Sequence, residues 1–367
     1  MKSLMILAAG IIFLLGCSSA PSGPKDKQVE TLMTNLISAQ EPGAAVLVVR
    51  GGRVVHKSCY GLADIRTGQP VHPTTNFRLA SLTKQFTAAA IMILVREGKL
   101  NYEQTLGQLF PDFPDYGRSV TIRNLLHHTS GLPDYESLLP PADPGRSIEE
   151  QQVSDYQVLE FLKREKGGKF VPGTEWAYSN SGYVVLGLIV EKVSGFPLSR
   201  FMEEKIFRPA GMMTTVLYER GLNRVLERAF GHSKKDGRWV IEDQSLTSAT
   251  RGDGGLYSSL EDLSRWDKAL RENLILKENE LELALTPVAV AGKGPLTPDG
   301  KPTGYGFGWF VSSWRGQPLA WHYGETAGFR TAIYRFYDSG LTVVVLANRE
   351  DIDSSSLALK LAEIFRD

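Results

Sequence analysis

Apolar positions along this chain change their spacing several times, and each change predicts an element. Val29, Leu32, Met33, Leu36 and Ile37 recur at helical intervals and predict an N-terminal helix. Residues 44–50 and 54–60 are strand-like and flank Gly51-Gly52, which suits a tight hairpin. Residues 82–97, rich in Ala, Ile, Met and Leu, predict a helix that Gly98 stops. Ser154-x-x-Gln157 is a capping box opening a helix to Lys166, and residues 183–193 are an apolar helix ending at Ser194-Gly195. Residues 305–312, 318–322, 330–337 and 341–347 are strand-like, and 355–365 closes as a helix. Strands and helices at both ends therefore enclose a helical, loop-rich middle. This predicts an α+β fold, with 28–98 and 250–367 forming one α/β part and 99–249 a mainly helical insertion.

The first residues follow a different rule. Lys2 precedes a mostly apolar stretch, 4–15, too short for a membrane span and suited to a signal segment. It ends Leu14-Leu15-Gly16-Cys17-Ser18-Ser19, which resembles a bacterial lipobox. That resemblance implies loss of residues 1–16 and lipidation of Cys17. Residues 17–27 then read as a flexible tether, and acyl chains as the membrane anchor. Ser18 is not acidic, which favours an outer membrane, with the protein facing the periplasm.

Composition narrows the function. Basic and acidic residues number 41 each, so no net field recruits nucleic acid. With Cys17 lipidated, Cys59 is left alone, excluding an internal disulfide, and it reads as a small buried apolar residue. No cluster has metal-ligand spacing, and His127-His128 read as structural. No nucleotide loop and no Gly-x-Ser-x-Gly elbow is present. No cofactor is implied.

Three strings carry the chemistry: Ser81-Leu82-Thr83-Lys84, Tyr178-Ser179-Asn180 and His322-Tyr323-Gly324. A serine hydroxyl needs a neighbouring base to act as a nucleophile near neutral pH. A lysine three residues on along a helix shares the serine's face. Burial can lower its pKa until it accepts a proton, and a tyrosine can relay that proton to a leaving group. A second Ser-x-x-Lys, Ser22-Gly23-Pro24-Lys25, lies beside Pro and Gly, where no rigid helix is expected.

With the flanking stretches Phe77-Arg78-Leu79-Ala80, Leu125-Leu126-His127-His128-Thr129-Ser130-Gly131-Leu132, Gly254-Gly255-Leu256-Tyr257-Ser258-Ser259 and Tyr305-Gly306-Phe307-Gly308-Trp309, the chain from Val29 onward resembles the serine β-lactamase and penicillin-binding superfamily. The likeness is to the class C-related branch of lactamases, esterases and D-peptidases. It implies an antiparallel sheet flanked by helices, with the site at the domain junction. It implies Ser81 as nucleophile, Lys84 as candidate base and Tyr178 as base or proton shuttle. Asn180 would hold a substrate amide. The backbone N–H groups of Ser81 and Glu325 would form an oxyanion hole, and Gly324 would let substrate approach the strand closely.

One departure matters. The lactamases of this branch carry Lys-Thr-Gly as the third motif, and here His322 replaces the lysine. A neutral imidazole offers no permanent charge to a substrate carboxylate. Arg330 is a candidate replacement cation. The expected function is a serine hydrolase cleaving a small-molecule or peptide amide or ester through an acyl-serine. The alternatives are a silent binding protein of the same fold and a true class C-type β-lactamase. The sequence leaves the oligomeric state open.

Overall fold

The computed structural model describes residues 23–297 and 300–366. The expected signal segment and Cys17 lie outside them. Along the chain run helix α1 (Pro24–Thr34), strands β1 (Ala44–Arg50) and β2 (Arg53–Tyr60), and helix α2 (Thr83–Arg96). Helices α3 (Asp155–Arg164), α4 (Asn180–Ser194) and α5 (Leu260–Arg271) follow. The chain closes with strands β3 (Gly304–Tyr305), β4 (Phe310–Trp314), β5 (Gln317–Thr326), β6 (Phe329–Phe336) and β7 (Leu341–Ala347), and helix α6 (Ser354–Ile364).

The seven strands form one antiparallel sheet in the order β3-β4-β5-β6-β7-β1-β2. The sheet joins the two ends of the chain, because β1 pairs with β7 from Ala44↔Ala347 to Arg50↔Leu341. Both of these strands are apolar on both faces. Leu47, Val344 and Leu346 face the core that holds α2 and α5, while Val46, Val48, Val343 and Val345 face α1 and α6. A strand covered on both sides has no polar face to show, which is why 341–347 reads as a continuous apolar run.

Helix α2 explains its own sequence. Every residue from Thr83 to Leu94 is buried, so the run has no solvent-facing stripe. The Ser154 and Gln157 side chains cap α3 as expected. Helix α4 begins at Asn180, with Ser179 as its N-cap, and ends at Gly195 in the left-handed region (φ 74°).

Four expectations need correction. Residues 24–27, assigned to the tether, form the first turn of α1, because Pro24 at the start of a helix forfeits no hydrogen bond. The same helix contains Lys25, where no helix was expected. The single strand expected over 305–312 is two, since the chain between them turns into the core: a Cβ on Gly308 would lie 2.8 Å from the Lys84 carbonyl oxygen. Finally, Cys59 is half-buried on β2 rather than enclosed.

The stretch 99–249 is not purely helical. It holds a hairpin, His232–Lys235 with Arg238–Ile241, turning at Asp236-Gly237. The Asn348 side chain ties the end of β7 to the backbone before this hairpin, donating to the Phe230 carbonyl at 2.9 Å.

Candidate active site

Ser81 stands in a short 3-10 turn, Ala80–Leu82, that leads into α2. Ala80 carries a φ of 49°, a left-handed backbone that a residue with a Cβ adopts at some cost. The turn is pinned from β5 and β6. Thr331 Oγ1 donates to the Leu79 carbonyl at 2.8 Å. Gly324 lies so close that a Cβ there would meet the Leu79 oxygen at 2.2 Å and the Ser81 nitrogen at 3.1 Å. The missing side chain of Gly324 therefore makes room for the serine turn, a second reason for a glycine beside the expected close approach of substrate.

Lys84, one helical turn on, is fully buried. Its ammonium donates to Ser81 Oγ at 2.9 Å, Asn180 Oδ1 at 2.9 Å and the Asp253 carbonyl at 3.0 Å. Three hydrogens meet three acceptors. Burial pulls the Lys84 pKa down to about 8, while the negative charges of Asp253, Asp134 and Glu136 hold it from falling further. A fraction of this lysine is therefore neutral near pH 7 and can receive the Ser81 proton.

Tyr178 faces the same serine, with its ring 4.9 Å from the Lys84 nitrogen. Burial pushes its phenol well above the usual range, and its contact with Ser81 offsets part of that rise. It is a protonated phenol at neutral pH, fit to pass a proton rather than to take the first one. His128 packs against its ring at 4.3 Å between centroids and accepts the Ser179 N–H at 3.1 Å. His127 bonds the Tyr305 carbonyl at 3.0 Å, and burial lowers its pKa to about 4. Both histidines thus brace neighbouring elements.

Asn180 is engaged at both ends. Its Oδ1 takes Lys84 and its Nδ2 donates to Glu136 Oε1 at 3.0 Å. In this arrangement it positions the lysine, and the second Oδ1 lone pair and second Nδ2 hydrogen remain for the expected grip on a substrate amide. His322 is buried, with Nδ1 donating to the Tyr323 carbonyl at 2.6 Å and Nε2 accepting from the Tyr305 hydroxyl at 3.2 Å. That carbonyl can only accept, which fixes the tautomer. Burial, aided by the charge of Lys84, lowers the His322 pKa to about 3. Arg330 donates to the Thr326 and Phe329 carbonyls and lies 3.9 Å from Glu325, so its charge is spent on its own turn.

The cleft over Ser81 is lined by Ala80, Tyr135, Glu136, Asn180, Asp253 and Glu325, among others. Among the described residues, no group of three or more His, Cys, Asp or Glu could hold a metal ion.

A β-lactamase family model matches residues 26–363. The chain is 34% identical over 354 residues to penicillin-binding protein 4* of Bacillus subtilis (strain 168), covering 92% of this chain and 75% of that protein. This chain belongs to the β-lactamase family. It is a serine hydrolase of the β-lactamase-related kind. It is also 30% identical to a D-aminopeptidase of Brucella canis (strain ATCC 23365 / NCTC 10854 / RM-666), covering 87% of this chain. The match spans 58% of that relative's length. Among solved structures, an octameric penicillin-binding protein homologue from Pyrococcus abyssi superposes with a TM-score of 0.80 at 26% identity, covering 93% of this chain and 77% of that one.

The sequence motifs of this β-lactamase-family chain missed the acidic side of its site. Asp134 accepts the Asn180 backbone N–H at 2.7 Å, Glu136 holds the Asn180 amide, and Asp253 supplies a carbonyl to Lys84. Asp253 lies in Gly252-Asp253-Gly254-Gly255, beside a stretch the sequence did single out. A lone acid between glycines was the available signal.

Proposed function

We propose that this protein is an acyl-enzyme hydrolase that cleaves amides or esters of small D-configured amino-acid and peptide substrates. The observation that carries this reading is the buried Lys84 ammonium bonded to the Ser81 hydroxyl. When Lys84 is neutral, its lone pair takes the Ser81 proton as Oγ bonds to the substrate carbonyl carbon. The charge that develops on the carbonyl oxygen is met by the N–H groups of Ser81 and Glu325. Tyr178 then gives its proton to the departing amine or alkoxide and is resupplied from Lys84. Water attacks the acyl-serine by the reverse route, returning Ser81 and releasing the acid.

The D-configured class is suggested by relatives named D-aminopeptidase. Neutral His322 and committed Arg330 argue against a lactamase-type grip on a carboxylate. We also propose that Cys17 is lipidated and holds the protein in the bacterial envelope, facing the periplasm from the outer membrane. The lipobox-like residues support this.

A panel of D-alanyl-p-nitroanilide, its L-enantiomer, p-nitrophenyl butyrate and nitrocefin tests the substrate reading. The D-anilide and the ester should turn over, with nitrocefin weak or silent. Efficient nitrocefin hydrolysis with neither of the others would overturn it. For the anchor, palmitate incorporation in cells should occur in wild type and vanish in Cys17→Ala. Equal labelling would reject it.

A further inference from the structure

A groove of about 460 Å³ lies away from the cleft and shares no lining residue with it. One wall is the helical stretch Leu198–Met202, Glu203–Phe207 and Arg208–Ala210, and the other is the segment 212–226. Phe207, Met212 and Leu217 line it from within the core. Met213, Leu222 and Leu226 line it from outside, exposed at 72%, 79% and 63%. These are three of the four most exposed large apolar side chains among the described residues. Scattered singly they would need no explanation, but gathered around one groove they mark a contact site.

The polar lining says what that contact is. Its uncharged side chains bond inward: Ser199 donates to Glu219, and Thr214 and Thr215 donate to Asp262 at 2.9 and 3.0 Å. Asn223 donates to the Leu217 carbonyl at 2.8 Å and accepts the Glu219 N–H at 2.9 Å. The charged lining is three exposed arginines, Arg200, Arg208 and Arg224, against one carboxylate, Glu203. Arg208 pairs with Glu203 and Arg200 with Glu204, while Arg224 forms no ion pair among the described residues. A second copy of this chain fits poorly, because a two-fold contact would set the arginines against one another. A peptide fits poorly too, since its backbone N–H groups would find one carboxylate to accept them. Aliphatic side chains ringed by guanidinium groups match acyl chains beneath phosphates.

We propose that this groove docks the protein on a bilayer carrying anionic phospholipid. Met213, Leu222 and Leu226 enter the acyl boundary, and the arginines meet the lipid phosphates. The contact needs no lipid on Cys17.

The test places an environment-sensitive fluorophore on Leu222→Cys in the whole chain, with Cys17→Ser and Cys59→Ser removing other thiols. Vesicles of phosphatidylcholine and phosphatidylglycerol in equal parts are compared with phosphatidylcholine alone. The label should move into an apolar setting on the mixed vesicles, with half-saturation at a lipid concentration at least about fivefold lower than on phosphatidylcholine alone. Arg224→Glu should raise the lipid needed roughly 5–25-fold, and Met213→Ser with Leu226→Ser at least about tenfold. The apolar segment 4–15 is common to all these proteins, so a difference between them belongs to this face. Thermal melts and phosphonate labelling of Ser81 should stay as in wild type, showing that the variants are folded. No spectral shift on either vesicle, or a shift equal on both and unchanged by the substitutions, overturns the proposal. So does self-association without lipid that Met213→Ser abolishes, which would assign the groove to a second copy.

Discussion

Gly324→Ala is the substitution through which the backbone geometry of this site can be tested. The added methyl would meet the Leu79 carbonyl oxygen at 2.2 Å, Thr331 Oγ1 at 2.5 Å and the Ser81 nitrogen at 3.1 Å. The first of these is more than about 1 Å short of ordinary contact. None of the three atoms can swing away cheaply. Two are backbone, and Thr331 Oγ1 is held to the Leu79 carbonyl at 2.8 Å. Strand β5 and the Ser81 turn must therefore separate. Overpacking of this kind typically costs about 1–3 kcal/mol of stability. The larger effect falls on catalysis, because the two proposed oxyanion donors lie on opposite sides of the contact being forced apart. Losing the alignment of one donor costs roughly 100–1,000-fold in kcat, with KM changing far less. Steady-state kinetics on the D-anilide, beside a thermal melt to establish that the variant is folded, measures both. A folded Gly324→Ala protein with wild-type kcat would refute the reasoning that β5 and the serine turn jointly build the oxyanion site.

The Lys84 base makes activity pH-dependent. With a pKa of about 8, kcat/KM should rise roughly tenfold per unit up to that pH and then level off, because the neutral lysine is the active form; a flat profile between pH 6 and 9 would contradict it. Lys84→Arg keeps the charge but cannot give up its proton, and should lose at least about a thousandfold in kcat. Tyr178→Phe should lower kcat with little change in KM, most on substrates with a poor leaving group, as measured by comparing an anilide with an activated ester. Since burial holds the His322 pKa at about 3, no gain in carboxylate binding should appear on acidification from pH 8 to 5, whereas His322→Lys should improve nitrocefin binding if it folds. Arg251, paired with Asp155, Glu191 and Glu219 at 2.6–3.1 Å, braces the loop before Asp253, and Arg251→Met should destabilise the fold by about 3–5 kcal/mol in chemical denaturation.

The parts of this molecule that were legible in the sequence share a physical cause. Residues 44–50 and 341–347 read as strands because β-branched runs fit a sheet covered on both faces, and 82–97 read as a helix because burial on every side filled it with apolar residues. The Ser-x-x-Lys spacing carried the catalytic geometry because three residues of helix bring two side chains to one face. What failed depended on contacts between distant segments. Nothing in the spacing of Asp134, Glu136 and Asp253 announces that they surround one lysine. The break between β3 and β4 arises where Gly308 backs onto Lys84, and a strand-like composition hides it. The protonation state of His322 is hidden from the sequence for a similar reason. The pattern places an imidazole there, but its titration is set by Tyr305, Tyr323 and Lys84 closing around it. The hairpin at Asp236-Gly237 was legible from its turn residues and was missed.

The central claim is that Ser81 is a nucleophile activated by Lys84. Its most direct test is to expose the protein to a fluorophosphonate at pH 8 and locate the adduct by peptide mass spectrometry. The adduct should sit on the peptide containing Ser81, be absent from Ser81→Ala, and form at least about a hundredfold more slowly in Lys84→Met, since general-base assistance contributes on that scale. Modification of a different serine, or labelling of Ser81→Ala at the wild-type rate, would contradict the account.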